Sequence, residues 1–306
     1  MKNKKIVFMG TPEYATVIFE KLLEQDYNIV ALFTQADKPV GRKQLITPPD
    51  IKKFSLENGL SLPIYQPLSL KEDIVVKQIK DLEPDIIIVA AYGQILTKEI
   101  LEIAPCINLH ASLLPKYRGA SPIQQSLLNK DKYTGVTAML MDIGLDSGDI
   151  IGYKYLKISD DMVVENLFDE LAQIAGCLTV DILERFDSLD YKKQNLSLVS
   201  HCKKIKKSDG LVEFKCANEV YNKYSAFKSW PDIYLESGLK IKECSINEVS
   251  SKQDKSIILE INKSNIVVSC TTGSIAITIV QPSSKKAMSV VDYIRGKRLE
   301  VGDILN

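Results

Sequence analysis

Seven consecutive residues, Ile86-Ile87-Ile88-Val89-Ala90-Ala91-Tyr92, are apolar, and Pro84-Asp85 introduces them. A strand with one wet face alternates apolar and polar residues, whereas one covered on both faces is apolar throughout. The run is far short of the roughly 18 residues of a membrane span. It therefore predicts the central strand of a parallel sheet with helices on both sides. Further apolar strand segments fall at residues 6–9, 29–33, 63–65, 106–110, 136–141 and 150–156. Between the first two, Ala15, Ile18, Phe19, Leu22 and Leu23 repeat at one helical face, with Thr11 as its expected cap and Pro12 at its first position. Ser159-Asp160-Asp161 opens a long helix with Leu167, Leu171, Ile174, Leu178 and Ile182 along one side. This alternation predicts a doubly wound, Rossmann-like α/β domain over residues 1–187.

The period then changes. Residues 188–208 are polar, carry Lys192, Lys193, Lys203, Lys204, Lys206 and Lys207, and read as a basic linker. Short strand patterns follow at 240–246, 256–261, 266–270 and 274–280, with turn signals at Glu236-Ser237-Gly238 and Thr271-Thr272-Gly273 and one helical pattern at 217–227. A small C-terminal β-barrel, OB-like, is expected over 209–306. The net charge of zero is unevenly spread: residues 1–200 hold 22 Lys/Arg against 27 Asp/Glu, and residues 201–306 hold 17 against 12. A basic C-terminal part points either to a polyanionic partner or simply to solubility. The six cysteines form no C-x-x-C and there are two histidines, so neither a zinc site nor a disulfide framework is expected. The cysteines read as small buried hydrophobes. Only residues 6–10 are apolar before Thr11-Pro12-Glu13, too short for a signal peptide, so a cytoplasmic location is expected.

Doubly wound sheets bind ligands outside the carboxyl ends of their strands. Gly10-Thr11-Pro12 offers one glycine where a dinucleotide fingerprint needs three, so NAD binding is not supported, and a helix cap at a tight turn is the simpler reading. Asn108 and His110 stand two apart at a strand end and so face the same way. An amide can donate to a developing oxyanion, and imidazole moves protons near neutrality; a lone histidine is more often structural, but the asparagine two residues before it and the strand-end position weigh equally for function. Leu113 and Leu114, in the loop bounded by Pro115 and Gly119, either pack beneath it or wall an apolar pocket. Gly144-Leu145-Asp146-Ser147-Gly148-Asp149 is either a plain hairpin turn or a device that brings Asp146 to His110. No nucleophile elbow or P-loop is present. Asn, His and Asp without a nucleophile suit direct transfer of an acyl group to an incoming amine.

The stretch Asn-Leu-His-Ala-Ser-Leu-Leu-Pro-Lys-Tyr-Arg-Gly-Ala-Ser-Pro-Ile-Gln at 108–124 resembles the signature of the folate-dependent formyltransferases. Gly-Leu-Asp-Ser-Gly-Asp-Ile at 144–150 resembles their second signature. Residues 7–15, 33–43 and 90–96 are similar, more narrowly, to the members that formylate methionyl initiator tRNA. The similarity is strong over residues 5–155 and thin after 200, where His201, Phe214 and Ser229-Trp230-Pro231 depart from the family's pattern. The resemblance implies 10-formyltetrahydrofolate as formyl donor and co-substrate and no metal; the short apolar runs give no expectation of a membrane, and a monomer would suffice for the function. It implies Asn108 as oxyanion donor, His110 as proton carrier and Asp146 as its orienting carboxylate. It matches Ser112, Leu113, Leu114 and Pro115 to the folate-contacting loop, with Tyr92 and Ile95 at the pterin edge. It implies tRNA contacts from Arg42 and Lys43, on a loop that is otherwise a surface excursion. Lys204, Lys206 and Lys207, with Lys203 beside them, are implied to meet phosphates, as are Lys285, Lys286, Arg295, Lys297 and Arg298. The competing activities are formylation of a small amine such as a sugar nucleotide or glycinamide ribonucleotide, and hydrolysis of the donor. The alternative of a different class is a non-enzymatic RNA-binding module.

Overall fold

The computed structural model describes residues 2–41 and 43–306. The chain divides into two compact units. One consists of Met1–Pro122, Tyr133–Lys157 and Phe168–Cys202, the other of Ile123–Lys132, Ile158–Leu167 and Lys203–Asn306.

The first strand, β1 (Ile6–Gly10), leads into α1 (Glu13–Glu24) and β2 (Ile29–Phe33). A small hairpin, β3 (Lys38–Val40) and β4 (Leu45–Thr47), precedes α2 (Asp50–Glu57), β5 (Ile64–Tyr65) and α3 (Asp73–Asp81). The apolar run forms β6 (Ile86–Ala90), followed by α4 (Lys98–Leu101), β7 (Cys106–His110), β8 (Arg118–Gly119) and α5 (Pro122–Leu128). Then come β9 (Tyr133–Leu140), β10 (Ile150–Lys157) and α6 (Val164–Glu184). Among the described residues, seven strands make one sheet in the order β10-β9-β7-β6-β1-β2-β5. Five run parallel, and β9 and β10 close one edge antiparallel.

Every residue of β6 is buried, as its two-sided apolarity requires. The alternation along β1 shows how both faces are covered. Val7 and Met9 pack with Ile87 and Val89 against Val75 and Ile79 of α3 and Ile100 of α4. Phe8, pointing the other way, meets Phe19 of α1 edge-on, ring centroids 5.2 Å apart. Each such side chain contributes about 1.5–3 kcal/mol by leaving water.

Some expected details change. Helix α1 begins at Glu13, and Pro12 stands before it as the cap residue. Thr11 does not cap it: its Oγ1 donates to the Tyr92 carbonyl at 2.9 Å, tying the end of β1 to the chain leaving β6. Helix α6 starts at Val164, because Ser159 is used in a preceding turn, where its Oγ donates to Asp161. The polar stretch expected as a linker is largely fixed to the first unit. Ile150 and Lys192 exchange both backbone hydrogen bonds, and β11 (His201–Cys202) pairs in parallel with β8. Cys177 is exposed on α6, contrary to the buried reading of the cysteines, of which Cys106, Cys202, Cys244 and Cys270 are buried and Cys216 half-buried.

The second unit is built on α7 (Ala217–Phe227) and on β12 (Ile233–Tyr234), β13 (Lys240–Lys252), β14 (Ile258–Ile261), β15 (Ile266–Ser269), β16 (Thr272–Gln281) and β17 (Met288–Ser289). These strands pair antiparallel, with β13 and β16 at the centre. Strand β13 runs six residues beyond the expected end, since the stretch Asn247 to Lys252, polar but for Val249, still pairs with β16. A short helix, α8 (Val290–Lys297), is capped by Ser289, whose hydroxyl accepts from the Val291 N–H. No helix among the described residues is long and apolar enough to cross a membrane.

Candidate active site

Strand β7 carries Asn108 and His110 to its carboxyl end, beside the end of β6. Between them Leu109 points into the core, and its carbonyl accepts from the Tyr14 hydroxyl at 3.3 Å. Burial holds the Tyr14 phenol far above its ordinary value, so it remains a donor. His110 is 6% exposed, and its Nε2 lies 2.9 Å from the Tyr117 carbonyl. A carbonyl only accepts, so Nε2 carries the hydrogen, and Nδ1 is the nitrogen left to exchange a proton. Nδ1 faces Asp146 Oδ2 at 3.7 Å, too far for a hydrogen bond but within ion-pair reach.

Asp146 sits on the segment between β9 and β10 and reaches back to the end of β7. Its Oδ2 accepts from the Gly119 N–H at 2.8 Å, and its Oδ1 faces Asn108 Nδ2 at 3.4 Å. The structure thus gathers Asn108, His110 and Asp146 around one carboxylate. Asn108 is half-buried while the other two side chains are nearly closed off. The backbone here is strained: Ala91, Tyr117 and Asp146 are all left-handed, with φ of 43°, 61° and 49°. Such conformations cost a non-glycine residue about 1–2 kcal/mol each, so surrounding bonds must hold them.

The segment after His110 is pinned by Thr137, whose Oγ1 donates to the Ser112 carbonyl and accepts from the Leu114 N–H. Ser112 is fully buried and its hydroxyl donates to the Lys116 carbonyl at 2.6 Å. Leu114 packs with Met139 and Ile150, while Leu113 and Pro115 are partly exposed. Tyr92 is buried with no hydrogen-bond partner for its hydroxyl among the described residues, and burial pushes that phenol up as well. Its carbonyl accepts from Thr11 and from Gln35 Nε2. Ile95 is 80% exposed, Ile143 74% and Leu145 60%. Three large apolar side chains are therefore bare on the loops leaving β6 and β9.

Arg42 lies outside the described residues. Lys43 is exposed on the turn joining β3 to β4, the hairpin whose Val40, Leu45 and Ile46 are also bare. Lys203, Lys204, Lys206 and Lys207 are exposed in the second unit, as are Lys285, Lys286, Arg295, Lys297 and Arg298. At the hairpin's base, Gln66 and Lys52 donate to Asp37 and hold its carboxyl below the usual range. Among the described residues, no group of three or more His, Cys, Asp or Glu could hold a metal ion.

Sequence reasoning missed several residues around this centre. Tyr14 falls within the stretch 7–15, where nothing local gives it a role. Arg118 lies inside the 108–124 signature with no role of its own, and Gly119 serves there only as a loop boundary. Gln194 and Ser200 lay in polar chain with no motif at all, yet Ser200 Oγ accepts from the Tyr117 N–H and Gln194 reaches the Asp146 segment.

The sequence profile described as formyl transferase matches residues 4–183, and that of the formyl transferase C-terminal domain matches residues 204–298. A protein of Nitratiruptor sp. named methionyl-tRNA formyltransferase is 55% identical over 299 residues, 98% of this chain and 99% of that protein. Its namesake in Sulfurimonas denitrificans is 52% identical over 303 residues, 99% of this chain and 100% of that protein. Among solved structures, an N-formyltransferase from Helicobacter canadensis in complex with folinic acid and dTDP-3-aminofucose superposes with TM-score 0.67 at 19% identity, covering 90% of this chain and 98% of that one. HypX from Aquifex aeolicus, in complex with tetrahydrofolic acid, superposes with TM-score 0.67 at 12% identity over 100% of this chain. This chain spans about half of HypX, 49% of its length. At such identities the structural matches speak for the fold.

Proposed function

This chain belongs to the formyl transferase family, and on that premise we propose that it transfers a formyl group from 10-formyltetrahydrofolate to the α-amino group of methionyl initiator tRNA. The observation that carries the reading is identity of 52–55% along the whole chain to proteins named for that activity.

The local geometry supports the chemistry. The amine nitrogen attacks the formyl carbon, and the carbonyl oxygen becomes anionic. Asn108, half-buried and two-donor, is the group that meets that oxygen. The proton shed by the amine goes to His110 at Nδ1, the bare nitrogen, since Nε2 is committed to Tyr117. The arriving charge then faces Asp146 Oδ2. The bond from the formyl carbon to the folate nitrogen breaks, and that nitrogen takes up a proton from the imidazolium. No covalent enzyme intermediate is needed. Leu113, Pro115, Ile95 and the Tyr92 segment would contact the donor, with Ser112 and Leu114 shaping that loop from beneath. Lys43, Lys204, Lys206 and Lys207 would contact tRNA phosphates, and Arg42 belongs with them. We take residues 1–187 as the catalytic part, 188–208 as the basic linker and 209–306 as the tRNA-binding part. A cytoplasmic monomer belongs to the same reading.

The test is formyl transfer to charged initiator tRNA beside free methionine, with wild type and Asn108→Ala. Formylation of the charged tRNA alone, and a fall of about 100- to 1000-fold in the variant, is the expected result. Release of formate without an acceptor, or transfer to a sugar-nucleotide amine instead, would replace this reading.

A further inference from the structure

Gln194 is 8% exposed, and every polar atom of its amide is engaged. Its Nε2 donates to the Asp146 carbonyl at 2.9 Å and to the Gly148 carbonyl at 2.8 Å. Its Oε1 accepts from Arg118 Nε at 3.1 Å and Nη2 at 2.7 Å. Guanidinium only donates and carbonyls only accept, so this orientation of the amide is the one that satisfies all four bonds. Arg118 is itself 8% exposed, and the residue after it supplies the Gly119 N–H that binds Asp146 Oδ2. The bonds close a ring: Arg118 to Gln194, Gln194 to the Asp146 backbone, and the Asp146 carboxylate to Gly119. Asp146 is left-handed, a conformation the chain does not hold unaided.

We infer that Gln194 is a positioning residue for formyl transfer: by clamping the carbonyls of Asp146 and Gly148 against Arg118, it holds the Asp146 carboxylate toward His110. The inference rests on the role given above to Asp146. It makes the polar stretch after α6 part of the catalytic apparatus rather than a passive connection. The first two bonds fix where the Asp146 backbone lies, and the Gly119 bond fixes where its carboxylate points. Neither half suffices alone, because a carboxylate on a loose loop samples orientations away from Nδ1. Displacement by about 1 Å at a reacting centre can cost on the order of 100-fold in rate.

The decisive substitution is Gln194→Glu. It keeps the side-chain volume and gives Arg118 a carboxylate, but turns an oxygen toward two carbonyls. The expected result is a fall in kcat of about 10- to 100-fold, with KM for folate and for charged tRNA unchanged within about threefold. Combined with Asp146→Asn, it should add almost nothing to the loss of the single Asp146 variant, because both act through one carboxylate. A residue that merely stabilised the fold would add its full effect in the double variant. Losses that multiply, a loss confined to KM, or kcat within about twofold of wild type would overturn the inference. Should Gln194→Glu fail to fold, Arg118→Lys leaves Gln194 in place and removes the two-pronged hold on its Oε1. A kcat loss that disappears in the Asp146→Asn background is then expected, and its absence overturns the inference. If Asp146→Asn alone is as active as wild type, the failure lies in the role given to Asp146, not in Gln194.

Discussion

Single residues near the site are held by groups that compete for the same atoms. Asp146 Oδ2 accepts from Gly119 while facing His110, and the Tyr92 carbonyl serves both Thr11 and Gln35. Asp37 is the clearest electrostatic case. Its carboxylate accepts from Gln66 and Lys52, and the Gln66 and Lys52 bonds hold it below the ordinary 3.8. A carboxyl depressed in the folded state stabilises that state above the unfolded value and loses the contribution as pH falls through the folded value. Thermal melting of wild type and Asp37→Asn should therefore differ near pH 6, with wild type more stable. The two curves should converge as pH drops below about 4. A difference that persists in acid would show that the network stabilises through the amide of Gln66 rather than through charge.

Elements meet at glycines where no side chain fits. A Cβ on Gly148 would lie 1.7 Å from the Leu140 carbonyl oxygen, so the chain between β9 and β10 folds back only because that atom is missing. Gly148→Ala should cost about 1–3 kcal/mol in urea unfolding and should lower formyl transfer together with stability, since it displaces the Asp146 segment. Gly296 within α8 is the contrast: nothing stands within 4 Å of its virtual Cβ. Gly296→Ala should be neutral or stabilising by up to about 1 kcal/mol, the helix preference for alanine. Similar costs at both positions would mean that contact distance does not decide the outcome.

On the scale of the whole molecule, charge separates the two halves of a neutral chain. The 201–306 part holds 17 Lys/Arg against 12 Asp/Glu, and its Lys204, Lys206 and Lys207 are exposed. If these lysines bind phosphates, the KM for charged tRNA rises steeply with salt, while kcat at saturation stays constant. Each lysine replaced by alanine should lower the slope of log KM against log salt by about one. The KM for the folate donor should be far less sensitive. A salt-independent KM for tRNA would return the basic half to the role of a solubilising surface.

The sequence determined the doubly wound sheet, because continuous apolarity at 86–90 and the 3.6-residue repeat of α1 each admit one burial pattern. It also determined the pairing of Asn108 with His110, because residues two apart on a strand share a face whatever surrounds them. It left Asp146 open between a turn and a partner of His110. The segment joins two antiparallel strands and also reaches back so that Asp146 Oδ2 lies 3.7 Å from His110 Nδ1. Only the tertiary structure decided the rest. Gln194 is 76 residues from Arg118 and 48 from Asp146, and a glutamine in polar chain carries no local sign of burial. The tautomer of His110 depends on the Tyr117 carbonyl, and the turn from β7 that delivers it is set by a cross-strand threonine, Thr137. Period and propensity act over a few residues, whereas hydrogen-bond satisfaction in a buried site is settled by whatever the folded chain brings within 3 Å.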